Sequence, residues 1–201
     1  MNEILNPQTM DAKGRRPLYA GVRGDAGFVG ENKEHRLWLS RKWDDPNADE
    51  EGYALWIGFM PGLEAAEMDD ETSMKEQNFT RHRLRLASYM KVNALTHRGG
   101  DFKSLMRKSL PGLQLSHPEN LPTILQLAEE ATTIFLATGE PPTASVASYV
   151  IDVFEALHRR GFRALCLSRT DTGWPRHSAR LSYKVPIEEY DLAHLPHVRR
   201  G

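Results

Sequence analysis

Four short apolar runs separated by helical patterns constrain this chain more than any other feature. The runs are Ala54 to Phe59, Tyr89 to Leu95, Thr132 to Ala137 and Arg163 to Ser168. Each is a few residues long and rich in side chains suited to a strand buried on both faces. Between them, Ser73 to Ala87 and Leu121 to Ala131 read as helices. The clearest helix is Thr143 to Arg160, where Val146, Tyr149, Val150, Val153, Phe154 and Leu157 recur at helical spacing. Thr143 offers an N-cap there and Gly161 a stop. Strand and helix in alternation imply right-handed crossovers and a parallel sheet with helices on its faces. The expected fold is α/β: a three-layer α/β/α domain with a short four-stranded parallel sheet.

Ahead of these units, Ala26-Gly-Phe-Val29 and Arg36 to Trp43 flank Gly30-Glu-Asn-Lys33 and read as an N-terminal β-hairpin. Residues 1–23, with Pro7, Gly14 and Pro17, read as an arm, 24–185 as a single α/β domain and 186–201 as a tail. A chain of 201 residues with 40% hydrophobic and 26% charged residues fits one such domain. No run approaches the roughly 18 apolar residues of a membrane span, and Met1-Asn-Glu-Ile4 lacks a signal-peptide start, so a cytoplasmic protein without a membrane partner is expected. The single cysteine, Cys166, lies in an apolar run and reads as a small buried hydrophobe.

Charge is segregated along the chain. Asp44 to Thr72 holds ten acidic residues and no Lys or Arg; Lys75 to Lys108 holds nine basic residues against Glu76 and Asp101. His158 to Lys184 adds seven basic residues against Asp171 alone. Such blocks are either solvated helix faces or a positive surface for an anionic partner.

The first apolar run breaks at Pro61-Gly62 and opens into Glu67-Met-Asp-Asp-Glu71, at the kind of strand end where α/β proteins bind ligands. Pro61 and Gly62 either let backbone amides approach a ligand or simply turn the chain. The acidic residues either supply a general base or oxygen ligands, or stabilise a helix start. No cofactor is expected, with Mg²⁺ the one ion this loop admits, and no His or Cys spacing marks a metal site. Asn93, where the second run leaves the sheet, carries the donor and acceptor that read a base edge, or caps a turn. His97 and Arg98 follow it and suit phosphate contact. Beyond the fourth run, Trp174 either stacks on a base or covers the core, and Arg176 with His177 joins a fixed cation to a group that titrates near neutrality.

The chain resembles a bacterial and phage family of unknown function. That family is marked by Arg-x-x-Leu-x-Arg-x-Trp, an Asn-Pro-Ser-x-Ala-Asp turn, Asp-x-Thr, a strand ending in Asn and Gly-x-Pro-Arg-His-Pro. The corresponding residues are Arg36 to Arg41 with Trp43, Met60-Pro61-Gly62 with Ala65-Ala66-Glu67, Asp70-Glu71-Thr72, Val92-Asn93 and Gly173 to Ser178. This pattern singles out Asp70 and Thr72. The layout is also similar to the uracil-DNA glycosylase superfamily, particularly its mismatch-specific branch. Gly58-Phe-Met60-Pro61-Gly62-Leu63, Asn93 to Thr96, Phe135 to Gly139 and Arg176-His177-Ser178 stand at the four places where that superfamily builds its pocket. The resemblance implies a base held by Gly58, Met60, Pro61, Gly62, Thr72, Asn93 and Gly139. It also implies DNA contact through the last loop. Met60 departs from it, since the water-activating Asn or Asp of that superfamily would stand there and a thioether cannot replace it.

These readings lead to an enzyme acting on a nucleobase in DNA, double- or single-stranded, or in a nucleotide. The chemistry is glycosidic cleavage, or transfer on a modified pyrimidine of the phage hypermodification kind, with Asp70 and His177 as catalytic groups. His97, Arg98, Trp174 and Arg176 are the nucleic-acid contacts. The alternatives are a non-catalytic nucleic-acid binding module with a degenerate pocket, and a Mg²⁺-dependent enzyme of small nucleotides.

Overall fold

In chain order, the strands of the computed structural model are β1 (Arg15–Pro17), β2 (Val22–Val29), β3 (His35–Trp43), β4 (Asp49–Gly58), β5 (Met68–Asp70), β6 (Leu86–Asn93), β7 (Thr133–Leu136), β8 (Ala164–Cys166) and β9 (Glu188–Tyr190). The helices are α1 (Glu71–Phe79), α2 (Asn120–Glu130) and α3 (Ala144–Arg159). The structure describes residues 11, 12, 14–62, 64–98, 102 and 113–196.

Seven strands form one mixed sheet in the order β2-β3-β6-β4-β7-β8-β9. Its centre, β6-β4-β7-β8, is parallel throughout, and these are the four apolar runs of the sequence. The sheet is larger than the expected four strands. The hairpin β2–β3 is no appendage, since β3 pairs antiparallel with β6 and extends the sheet on that side. On the other side β9, from the expected tail, pairs antiparallel with β8. Part of the expected arm is also structured: Arg15–Pro17 pairs with β5 in a separate two-stranded sheet, with Arg15 opposite Asp70 and Arg16 opposite Asp69.

Helices lie on both faces, because side chains along a central strand alternate. Leu55 and Ile57 of β4 meet Ile124 and Ala128 of α2 and Val150, Val153, Phe154 and Leu157 of α3 in one core. Ala54 and Trp56 point the other way, into a second core with Phe79 of α1, Phe135 and Leu167. Trp56 stacks on Phe135 at 4.6 Å between ring centres, and its Nε1 donates to Thr80 Oγ1 at 3.0 Å. Thr80 also donates to the carbonyl oxygen of Glu76 at 2.8 Å. This back-bonding occurs where α1 gives way to a π-turn, Thr80–Leu84, earlier than the expected end at Ala87. Arg85 then takes a left-handed conformation with φ 56 and ends the turn. No described helix is long and apolar enough to cross a membrane.

Arg41 ties the hairpin to the loop after β4. It is fully buried and donates through Nε to Asp69 Oδ1 at 2.9 Å, and through Nη2 to the carbonyl oxygens of Ala65 and Met68 at 2.7 and 3.0 Å. Removing the guanidinium strands Asp69 in the interior along with two carbonyl groups. Arg41→Met is therefore expected to cost about 3–5 kcal/mol of stability, read as a fall in the urea midpoint with an unchanged slope.

Candidate functional site

The carboxyl ends of β4, β6 and β7 open on a pocket of about 200 Å³, lined by Gly58, Phe59, Met60, Glu76, Lys91, Asn93, Phe102, Ala137, Thr138 and His177. Drug-sized ligands occupy roughly 300–1,000 Å³, so this volume suits a single ring system. Phe59 and Phe102 form an aromatic wall, their ring centres 5.7 Å apart and tilted by 60°. The Asn93 amide takes the orientation in which its nitrogen donates to the Met60 carbonyl oxygen and its oxygen accepts from Arg36 Nη2, both at 3.1 Å. Among the described residues, the second N–H and second lone pair of that amide have no protein partner and suit a ligand. Gly58 is required opposite it, because a Cβ there would press on the amide.

Beneath the pocket lies a buried charge network. Lys91 of β6 sits with Nζ 3.1 Å from Glu76 Oε2 and 3.6 Å from Glu64 Oε1. Arg36 donates from Nη2 to Glu64 Oε1 at 2.9 Å, with neither side chain exposed. Glu76 accepts further from Tyr89 Oη at 2.6 Å and Ser178 Oγ at 2.7 Å, which anchors the loop after β8 to α1. Burial and the charges of Glu76, Glu64 and Asp70 act in opposite directions on Lys91. The carboxylates prevail and hold its ammonium above the ordinary value. Tyr89 is raised well above its usual value by burial and by Glu76.

Glu64 and Asp70 meet beside Gly62, where an added Cβ would overlap Glu64 Oε2 and Asp70 Oδ2 together. Burial favours the neutral form of both. For Glu64, Arg36 and Lys91 outweigh it and hold the carboxyl well below the usual range. Asp70 lacks such support and is pushed up to about 6 by burial first, then by the charge of Glu64. Its other oxygen caps α1, accepting from Ser73 N at 2.7 Å in a reciprocal capping box.

Of the residues singled out from sequence, Gly58, Met60, Asn93 and His177 line the pocket. Pro61 is buried and Gly62 serves the close approach of the two carboxyls. Gly139, at φ 67, turns the chain after β7 and donates from its N–H to the Pro175 carbonyl oxygen at 2.8 Å. Thr72 lies in the first turn of α1, away from the pocket lining. The His177 ring accepts from Ala179 N at 3.4 Å.

The intended nucleic-acid contacts do not gather. Trp174 is 1% exposed and packs against Phe154, so it has no free face for a base. His97 stands edge-on to His35 at 5.6 Å, and Arg98 lies over the Phe28 ring at 4.6 Å, donating to the Lys33 carbonyl oxygen. Arg176 donates to the Arg169 carbonyl oxygen and approaches Asp171 at 3.9 Å. Much of the basic blocks is likewise paired within the fold: Arg81 with Asp45, Arg159 with Glu155, Arg160 with Glu129 and Arg163 with Glu189.

Sequence reading missed Arg36, Glu64, Glu76 and Lys91 as site residues. The available signal was Lys91 itself, a lone cation inside the apolar run Tyr89 to Leu95, which demands a buried counter-charge. Mg²⁺ finds a poor host in the acidic loop: Asp69 is committed to Arg41, Glu64 to two cations and Asp70 to the helix cap, while Glu67 and Glu71 are exposed. Among the described residues no group of three or more His, Cys, Asp or Glu is placed to hold a metal ion.

Fold and pocket together define a mixed α/β protein with one small, polar-floored cavity at the carboxyl ends of its parallel strands. Over residues 36–178 the chain matches the family described as "Protein of unknown function (DUF1643)", and it belongs to that family. The matched segment begins at Arg36 and ends at Ser178, both members of the buried network. No curated protein and no solved structure matches the chain.

The proton on Asp70 has a consequence for stability. With a folded value of about 6 against a reference of 3.8, the folded chain keeps a proton that the unfolded chain has released. The stabilisation is full below the reference value and is lost as pH rises through about 6. Asp70→Asn preserves the cap and donates an N–H to Glu64 at every pH. It should exceed the native chain by about 1–3 kcal/mol at pH 8 and converge on it near pH 4, as measured by urea unfolding across that range.

Proposed function

We propose that this protein is an enzyme acting on a nucleobase, carried in a nucleotide or in DNA, with the base seated against the wall of Phe59 and Phe102 and its polar edge on Asn93. The observation that carries the reading is the pairing of an aromatic wall with an amide that keeps one donor and one acceptor unspent, in a cavity of single-ring size. Stacking together with edge hydrogen bonds is how proteins hold an extruded or free base. The likeness to the uracil-DNA glycosylase superfamily is supported by the lining itself. Segments following all four parallel strands contribute to it: Phe59 and Met60, Asn93, Ala137 and Thr138, and His177.

The reaction is glycosidic cleavage or transfer on a modified pyrimidine. Met60 supplies no water-activating group. The proton-exchanging groups are His177 in the pocket wall and, behind the floor, Asp70 acting through Glu64 and Lys91. The internal pairing of the arginines leaves pocket chemistry, more than a charged surface, to support the reading. A second reading is a binding module that keeps the pocket without catalysis, favoured by the thioether of Met60 at the mouth.

The experiment is mass spectrometry of nucleosides and free bases after incubating the protein with unmodified, uracil-containing and hydroxymethyl-pyrimidine DNA and with the matching nucleotides. A released base or a mass-shifted nucleoside is expected. Salt-sensitive binding without any product on every substrate would instead favour the binding module. Asn93→Ala should weaken base binding by about 10–100-fold, the equivalent of one or two lost hydrogen bonds left partly unpaired, whereas His177→Ala should lower turnover with affinity retained.

A further inference from the structure

Glu64 Oε2 is fully buried and receives no N–H or O–H from any other described group. Asp70 Oδ2 stands beside it: a Cβ added to Gly62 would overlap both Glu64 Oε2 and Asp70 Oδ2. Two carboxyl groups so placed, with no donor between them, favour holding one proton in common over ionising both. Glu64 in turn touches Lys91, the one ammonium among the pocket-lining residues.

We propose that Glu64 and Asp70 form a single-proton carboxyl pair that sets the charge felt by Lys91, so that the pocket takes up an anionic ligand group together with a proton. The charge count around the pair supports this. Arg36 from β3 and Lys91 from β6 balance Glu64 from the loop and Glu76 from α1. Asp69 is matched by Arg41, and Arg15, opposite Asp70 in the β1–β5 ladder, by Asp11; buried Arg16 lies opposite Asp69 with its guanidinium over the Tyr19 ring, and Arg98, over Phe28, also acts on Glu64. With the proton in place Arg36 and Lys91 balance Glu64 and Glu76, and Lys91 has charge to offer a ligand. Without it one further negative charge stands beside Lys91, which holds the ammonium to the carboxylates and weakens its pull on an anion. A divalent cation does not substitute for the proton, because Arg36 and Lys91 already flank Glu64.

The ligand half of this inference rests on the pocket being the base site; the carboxyl half does not. Carbon-13 carboxyl and nitrogen-15 ammonium NMR of the full chain, without ligand, is expected to show Asp70 titrating near pH 6. The Lys91 Nζ signal should move with the same midpoint. Asp70→Asn should remove both transitions while leaving the chain folded. An Asp70 titration in the ordinary carboxylate range, or a Lys91 signal unmoved across it, overturns the pair. For the ligand half the probes are orotate, a pyrimidine that is anionic throughout the range, and uracil, which is neutral over most of it. Orotate affinity should fall above pH 6 by up to about tenfold per pH unit, the limit for one linked proton. It should be flat in Asp70→Asn, and uracil affinity should be flat in both proteins. A flat orotate response in the native chain, or an equal slope for uracil, overturns proton-coupled anion uptake. If neither pyrimidine binds, the base site fails, proton-coupled uptake by it fails too, and the NMR titration decides the pair by itself.

Discussion

The buried cations Arg36 and Lys91, held against Glu64 and Glu76, are the constraint around which the site is arranged. Each charge is costly to bury alone, and partnered with its neighbours it becomes a fixed point. Arg36 enters from β3, Lys91 from β6, Glu64 from the loop after β4 and Glu76 from α1. Through Ser178 the loop after β8 joins as well. The network therefore determines where the strand ends, the acidic loop and the last loop stand relative to one another, and so the shape of the pocket above it.

The same network accounts for the chemistry of its surroundings. Compensation is uneven: Glu64 has two cations and Asp70 has none beyond its cap and the distant pull of Lys91. Two carboxyls six residues apart in sequence thus differ in proton affinity because of what reaches them from other elements. Environments that drive neighbouring acids apart are the usual means by which one fold keeps both an acid and a base at neutral pH. Asp69, a short way along the chain from Glu64, is matched one to one by Arg41 of β3, which holds this segment to the hairpin.

The architecture was legible where periodicity carried it. The runs Ala54 to Phe59 and Thr132 to Ala137 became central strands, and Thr143 to Arg160 became α3 nearly to the residue, with Gly161 following it at φ 74. What local pattern could not disclose was pairing at a distance. Nothing in Glu188–Tyr190 or Arg15–Pro17 marks a strand, since three residues show no period, and both are strands only because a partner edge was available. The site divides in the same way. Asn93 and His177, singled out at the end of the second apolar run and in the loop beyond the fourth, both line the pocket. For Trp174 the fold favours covering the core over stacking, since the ring is buried against Phe154. Glu64 was hidden within an acidic stretch and Glu76 within a basic one, with their partners on other elements, and Arg81, Arg160 and Arg163 of the basic blocks pair with acidic residues far off in sequence.

The position of β4 also fixes the order of events during synthesis. It pairs with β6 on one side and β7 on the other, and both neighbours follow it in the chain. Only the hairpin β2–β3 is complete when β4 leaves the ribosome, so Leu55, Trp56 and Ile57 emerge with neither flank covered. They wait until residue 93 for the first partner strand and residue 136 for the second. Long-range pairing of this kind is slow and leaves apolar surface exposed while it waits. The most deeply buried strand of the finished protein is thus the segment that stays unsheltered longest in the unfinished one, and a nascent chain halted between β6 and β7 carries its greatest risk of aggregation there.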